Sequence, residues 1–112
     1  MADPRVKNLK IKTGVVKRLT KEIGYYEKEV TKEEERFEKK KAGGGDEHEL
    51  KKQKEVIEES RAMIPDSKRR LTAAKDEMKK LLENEADLAE TDDYKEAQKI
   101  LEEAENVLAA KA

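Results

Sequence analysis

The sequence contains no cysteine and no tryptophan, and it has one phenylalanine, one histidine and two prolines in 112 residues. Without cysteine there are no disulfides, and a cross-linked extracellular scaffold is a poor reading. One Phe and three Tyr are too little aromatic material for a wide core, whereas a narrow seam between helices needs far less. Long apolar runs are missing as well. The opening Met1-Ala2-Asp3-Pro4-Arg5 starts no hydrophobic stretch, and neither a signal peptide nor a membrane span is expected. What the chain has in abundance is charge: 47% of residues are charged and 35% hydrophobic. That balance signals disorder when one sign dominates. Here the net charge is −1 and the apolar residues recur regularly, which favours long solvated helices in a single intracellular domain, 1–112.

The charge is unevenly spread. Residues 1–41 hold 13 Lys/Arg and 8 Asp/Glu, residues 42–84 hold 10 of each, and residues 85–112 hold 3 and 9. An acidic third segment packing on a basic first one is the expected internal match. A dedicated basic binding face is the other reading, since such fields steer partners without identifying them.

Spacing supplies the fold. Asp3 is a candidate N-cap with Pro4 at the first helical position. From there Leu9, Val16, Ile23, Val30 and Phe37 recur every seven residues, with Leu19 and Tyr26 at companion d positions. This is the 3.5-residue period of a coiled-coil seam. Helix one should run over about 4–41 and end in a glycine loop at 42–46, because Gly43-Gly44-Gly45 costs too much entropy to continue a helix. Asp46 caps helix two, with Glu49 as the reciprocal partner. Leu50, Ile57, Ile64, Leu71 and Met78 carry the repeat across about 47–84, with Ala74, Leu81 and Leu88 at d. After a loop at 85–91, Thr91 caps helix three, about 92–110. Its stripe is Tyr94, Ala97, Leu101, Ala104 and Leu108, broadened by Ile100 and Val107.

Two helices of nearly 40 residues span on the order of 57 Å each, and the third about half of that. Short connections imply antiparallel neighbours. The expected fold class is therefore all-α: an elongated up-down-up three-helix bundle with coiled-coil packing, helix three about half length, and a kink near Pro65. The d positions agree. Leu19, Ala74 and Leu81 are apolar where helix three should cover the pair, and Glu33, Lys40, Gln53 and Ser60 are polar where it should not. Pro65 clashes with the carbonyl of Arg61. The heptad passes through Ile64 and Leu71 in phase, so a bend and not a break is expected. It either wraps the helix around its neighbour or serves as a pliable joint.

No catalytic constellation is present. His48, in the first turn after the glycine loop, should be solvent-exposed and has no second His or Cys to form a metal set. Gly43-Gly44-Gly45 lacks the Lys-Ser/Thr of a phosphate-cradling loop. The expectation is no enzyme, no metal and no cofactor. Lys7, Lys10, Lys12, Lys17, Arg18 and Lys21 form a basic stripe, but Glu22, Glu27 and Glu29 follow it and the aromatic platforms that stack bases are missing, so nucleic acid is not the expected partner. The apolar faces are too narrow for a membrane surface. Protein–protein interaction along helix faces remains.

Three stretches carry a family resemblance. They are Leu9-Lys10-Ile11-Lys12-Thr13-Gly14-Val15-Val16-Lys17-Arg18-Leu19, then Tyr26-Glu27-Lys28-Glu29, and above all Glu59-Ser60-Arg61-Ala62-Met63-Ile64-Pro65-Asp66-Ser67-Lys68-Arg69-Arg70-Leu71. The last sets a proline inside a heptad-bearing helix ahead of a basic triplet. Together with Tyr94-Lys95-Glu96-Ala97 they make the chain resemble the tubulin-binding cofactor A family over nearly its whole length. The glycine triplet and the acidic tail after Ile100 depart from the family. The resemblance implies a cytoplasmic, cytoskeleton-associated chaperone. It would capture quasi-native β-tubulin after chaperonin release, without hydrolysing ATP, and other tubulin-folding cofactors would be further partners. Tyr25, Arg61, Lys68, Arg69 and Arg70 are the candidate partner-binding residues, chosen as solvent-side positions near Gly24 and Pro65. The alternative is a structural coiled-coil spacer in which Val30, Phe37, Leu50 and Ile57 pair with a second copy; monomer and homodimer both remain open. A spectrin-type repeat is disfavoured because its helices are of similar length, and a prefoldin-type subunit because residues 43–45 leave no room for hairpins.

Overall fold

The computed structural model describes residues 3–110. Among them there are three α-helices and no strand: α1 Pro4–Ala42, α2 Glu47–Asn84 and α3 Asp92–Ala109, with one turn of 3₁₀ helix at Ala86–Leu88. Their lengths are 39, 38 and 18 residues. α2 runs unbroken through Pro65.

Local chemistry sets each end. The Arg5 backbone N–H donates to Asp3 Oδ1 at 2.9 Å, satisfying one of the orphan donors of the first turn. α1 stops in a Schellman closure. Gly45 N–H donates to the Lys40 carbonyl at 2.8 Å and Gly44 N–H to the Lys41 carbonyl at 3.3 Å. Gly44 has φ +79°, and a Cβ on Gly45 would lie 2.9 Å from the Lys40 oxygen. Two glycines of the triplet are thus fixed by geometry, one by backbone sign and one by close approach. Asp46 Oδ1 accepts from Glu49 N–H at 2.9 Å; among the described residues the structure shows no reciprocal bond from the Asp46 N–H to the Glu49 carboxylate. Thr91 Oγ1 accepts from Tyr94 N–H at 3.2 Å, and Asp92 and Asp93 sit in the first turn of α3, where carboxylates suit the helix dipole.

The helices divide into two compact units. One comprises residues 3–21 with 68–110, the other residues 22–67. In the first, Leu9, Val16, Leu71, Met78, Ala97 and Ala104 are almost wholly withdrawn from solvent, joined by Leu19, Leu82, Leu88, Tyr94 and Ile100. Leu82 is buried where Leu81 was expected, and Ile100, expected only to broaden the α3 stripe, is buried while Leu101, expected within it, is half-buried. The reason is the number of helices. Covering two neighbours widens the apolar face beyond strict a and d, so the position four residues after Met78 is recruited. The Tyr94 hydroxyl donates to the Leu82 carbonyl at 2.8 Å, closing one of the orphan acceptors at the end of α2. Arg5 adds a polar clasp, reaching Asp3, Glu85 and Asp87 at 2.8 Å each. Charge matching between α1 and the rest of this unit is only partial: Lys12 meets Glu77 at 3.3 Å and Lys10 meets Asp93 at 3.8 Å.

The second unit holds segments of α1 and α2 alone. Ile23, Val30 and Ile57 are its buried apolar residues, and Phe37, Leu50 and Ile64 are half-buried. Glu33 and Gln53 are polar d positions, yet they are only 4% and 5% exposed. They form a polar layer across the seam. The Gln53 amide donates to the Glu33 backbone carbonyl at 2.9 Å and to its Oε2 at 2.6 Å. Arg36 pairs with the other Glu33 oxygen, and Lys40 Nζ donates to Gln53 Oε1 at 3.2 Å. Only one orientation of the Gln53 amide satisfies both neighbours. Among the described residues no buried side-chain donor or acceptor is left without a partner.

Three outcomes follow from these contacts. Leu71→Ala should lower the unfolding free energy in urea by about 2–5 kcal/mol, because its site is closed on all sides. Gln53→Leu should cost about 1–3 kcal/mol by stranding the Glu33 carboxylate, and the double variant Glu33→Leu/Gln53→Leu should recover most of that loss. Asp3 is held below the usual carboxylate range, first by the Arg5 side chain and then by the Arg5 N–H. A depressed folded pKa stabilises the fold above the unfolded value near pH 4 and ceases to do so as pH falls through the folded one. NMR titration should therefore find Asp3 low in the native protein and raised towards its ordinary value in Arg5→Ala, where the side-chain bond is lost and the backbone N–H remains.

Candidate functional site

A concavity lies within the second unit, on one side of the α1–α2 seam. It is a cleft of about 810 Å³. Its walls follow from helical spacing: Thr31, Glu34, Glu35 and Glu38 share one face of α1, and Lys54, Ile57, Glu58 and Arg61 one face of α2. Phe37 and Ile57 give it an apolar floor. Lys54 Nζ stands 5.5 Å from the centre of the Phe37 ring, within cation–π range. Arg61 meets Glu34 at 3.1 Å across the rim. Such a slot can take an aliphatic or aromatic side chain from a protein partner, with both signs of charge on its edge for orientation. It is lined by carboxylates, ammonium groups, a guanidinium and the Thr31 hydroxyl, which donates to the Glu27 carbonyl at 3.1 Å. Among the described residues, no three His, Asp or Glu side chains converge as a metal site requires, and no helix is long and apolar enough to cross a membrane.

The five residues singled out from sequence are divided between the units. Tyr25 and Arg61 belong to the second, and Lys68, Arg69 and Arg70 to the first. Tyr25 is 66% exposed and packs edge-to-face on Tyr26, with ring centres 6.1 Å apart. Arg61 is on the cleft rim. Lys68 is half-buried, while Arg69 and Arg70 are exposed and each engages a neighbour. Phe37, Lys54 and Glu34 were not foreseen as a site. The available signal was an aromatic seam residue facing polar d positions, because a seam too thin to swallow a phenyl ring leaves one face of it open. His48 is exposed, in the first turn of α2. Val30 and Ile57, offered above as a surface for a second copy, are spent on the chain's own seam.

Comparison with known proteins agrees over most of the chain. A family model described as Tubulin binding cofactor A matches residues 4–101. A human protein named tubulin-specific chaperone A is 53% identical over 102 residues, covering 91% of this chain and 94% of its own. The solved structure of human tubulin chaperone cofactor A superposes with a TM-score of 0.79 at 51% identity, over 91% of this chain and 99% of that one. Tubulin folding cofactor A from Arabidopsis thaliana superposes at 0.81 with 40% identity, over 91% and 96%. A family match over residues 4–101 and 53% identity across 102 residues make this chain a member of the tubulin binding cofactor A family.

Proposed function

We propose that this protein is a tubulin chaperone of the cytoplasm, associated with the cytoskeleton, that captures quasi-native β-tubulin released from the chaperonin and passes it to other tubulin-folding cofactors. The observation that carries this is the 53% identity, over 91% of the chain, to a human protein named tubulin-specific chaperone A. Holding a near-native state lowers the population of aggregation-prone forms by mass action and needs no chemical step. Independence from ATP fits the glycine loop. The Gly43 and Gly45 N–H groups already donate to the carbonyls of Lys39 and Lys40, so the loop's donors close a helix instead of cradling a phosphate.

In this reading the whole chain acts as one domain whose helices run up-down-up with coiled-coil packing, and α2 bends at Pro65. Capture uses helix faces. In the second unit the contact residues are Tyr25, whose ring is mostly open to solvent, and Arg61, on the rim of the apolar cleft. In the first they are Lys68, Arg69 and Arg70. Their cationic heads suit a carboxylate-bearing partner and set encounter rate and orientation more than raw affinity.

The test is to mix the protein with β-tubulin freshly released from chaperonin and to resolve the products by native gel and size exclusion. A stable heteromeric complex is expected. An unmixed β-tubulin peak beside an oligomer of this chain would end the reading. Arg69→Glu/Arg70→Glu should weaken capture several-fold with unchanged far-ultraviolet circular dichroism, and undiminished capture would remove that patch.

A further inference from the structure

The first 18 residues of α1, Pro4–Lys21, contain cations but no Asp or Glu. At 100° per residue, Lys7, Lys10, Ile11, Gly14, Lys17, Arg18 and Lys21 fall within an arc of about 120°. The buried Leu9, Val16 and Leu19 face the other way. All seven residues of the arc are exposed. Five carry positive charge, and none is a carboxylate.

The charge is not consumed inside the unit. Lys10 has one loose contact, with Asp93 at 3.8 Å. Arg5 and Lys12, which do find carboxylates, lie off this face. Among the described residues Lys7, Lys17, Arg18 and Lys21 pair with nothing. The expected match between the acidic residues 85–112 and the basic first segment is made by Arg5 with Glu85 and Asp87 and loosely by Lys10 with Asp93, and the rest of the basic face is left unmatched. Two further features lie on that face, Gly14 at the middle of the arc and Ile11 at one end of it. Ile11 is 57% exposed among the cations. Gly14, one turn on, has no atom within 4 Å of where a Cβ would stand. Nothing in the fold requires glycine there, and glycine is among the poorest residues for a helix interior. Its effect is a shallow saddle between Ile11 and Arg18, where a partner backbone can approach closely.

We propose that this face docks an acidic segment of the protein partner, one whose glutamates or aspartates meet Lys7, Lys10, Lys17, Arg18 and Lys21 and whose aliphatic side chain packs on Ile11 over Gly14. The commitment to a polypeptide rests on the saddle. A phosphate backbone gains nothing from an exposed isoleucine, there is no aromatic ring on the face for a base to stack on, and a single aliphatic residue is too little to hold a bilayer. That the segment belongs to β-tubulin rests on the chaperone reading above; that it is acidic and carries an aliphatic residue does not.

Two measurements separate these claims. In the first, a fluorescent 21-residue peptide of glutamates with leucine at every seventh position is titrated with the full chain by anisotropy, beside a 21-base-pair DNA duplex and phosphatidylserine vesicles. Binding of the peptide should weaken at least five-fold in Lys17→Glu/Arg18→Glu and at least three-fold in the uncharged variant Ile11→Gln. Gly14→Gln should raise the thermal midpoint and yet weaken binding, an opposition that loss of folding cannot produce. Peptide binding indifferent to Ile11 and Gly14, or tighter binding of the duplex or the vesicles on the same residues, overturns the proposal. In the second, the same variants are tried in β-tubulin capture with the peptide as competitor. Failure of the unaltered protein to capture β-tubulin ends the chaperone reading and leaves the peptide titration to decide this face. Capture that persists undiminished in all three variants overturns the face and leaves the chaperone reading standing.

Discussion

The scarcity of apolar side chains is the constraint on which the rest of this structure depends. With 35% hydrophobic residues and a single Phe, the chain can exclude water only along a line, and a helix concentrates sparse residues on a line by repeating them every seven positions. Leu9, Val16, Ile23 and Val30 on α1 and Ile57, Leu71 and Met78 on α2 are that line, all buried. Because each fully buried aliphatic is worth roughly 1.5–3 kcal/mol, a dozen or so hold against the conformational entropy of long helices only if almost none is wasted. The caps follow from the same economy. Asp3, Gly44–Gly45, Asp46 and Thr91 each satisfy orphan backbone groups that a thin seam is unable to cover.

The two units resolve this scarcity differently. Where three helices contribute, the apolar face widens to include Leu82 and Ile100, and the one buried phenol is spent on a helix-end carbonyl. Where two contribute, the seam carries a polar layer instead. Glu33 and Gln53 give up burial energy that leucines would supply, in exchange for a geometry that fits one register and one amide orientation. A seam of interchangeable aliphatics could slip by a heptad; a carboxylate on α1 that must find Gln53 on α2 is more restrictive. The cleft beside that layer, floored by Phe37 and Ile57, is the part of the seam left unfilled for want of a third helix.

Both candidate surfaces, the cleft of the second unit and the basic arc of α1, lie on helix faces. The family match and the surface features concern different levels. Membership of the tubulin binding cofactor A family comes from agreement over residues 4–101, whereas the basic saddle of α1 and the cleft of the second unit are local arrangements of charge beside a few apolar side chains. Charged rods of this kind gain orientation and encounter rate from the field and selectivity from the few exposed aliphatic and aromatic residues.

The sequence by itself determined what depends on neighbours a few residues apart. The heptads, the capping residues and the glycine stop are local, so the three helices and most of the buried a positions could be read directly. Ile11 and Gly14 were also visible, but only as residues of a stretch that resembles a family. Tertiary structure decided what depends on how many helices share a given level and which side chains meet across them. It chose Leu82 over Leu81, drew Glu33 and Gln53 inward, opened the cleft on Phe37, and left Lys17 and Arg18 without the carboxylates of α3. Periodicity fixes which way a side chain points on its own helix; burial and pairing depend on what another helix brings opposite it, and that is not encoded at any single spacing.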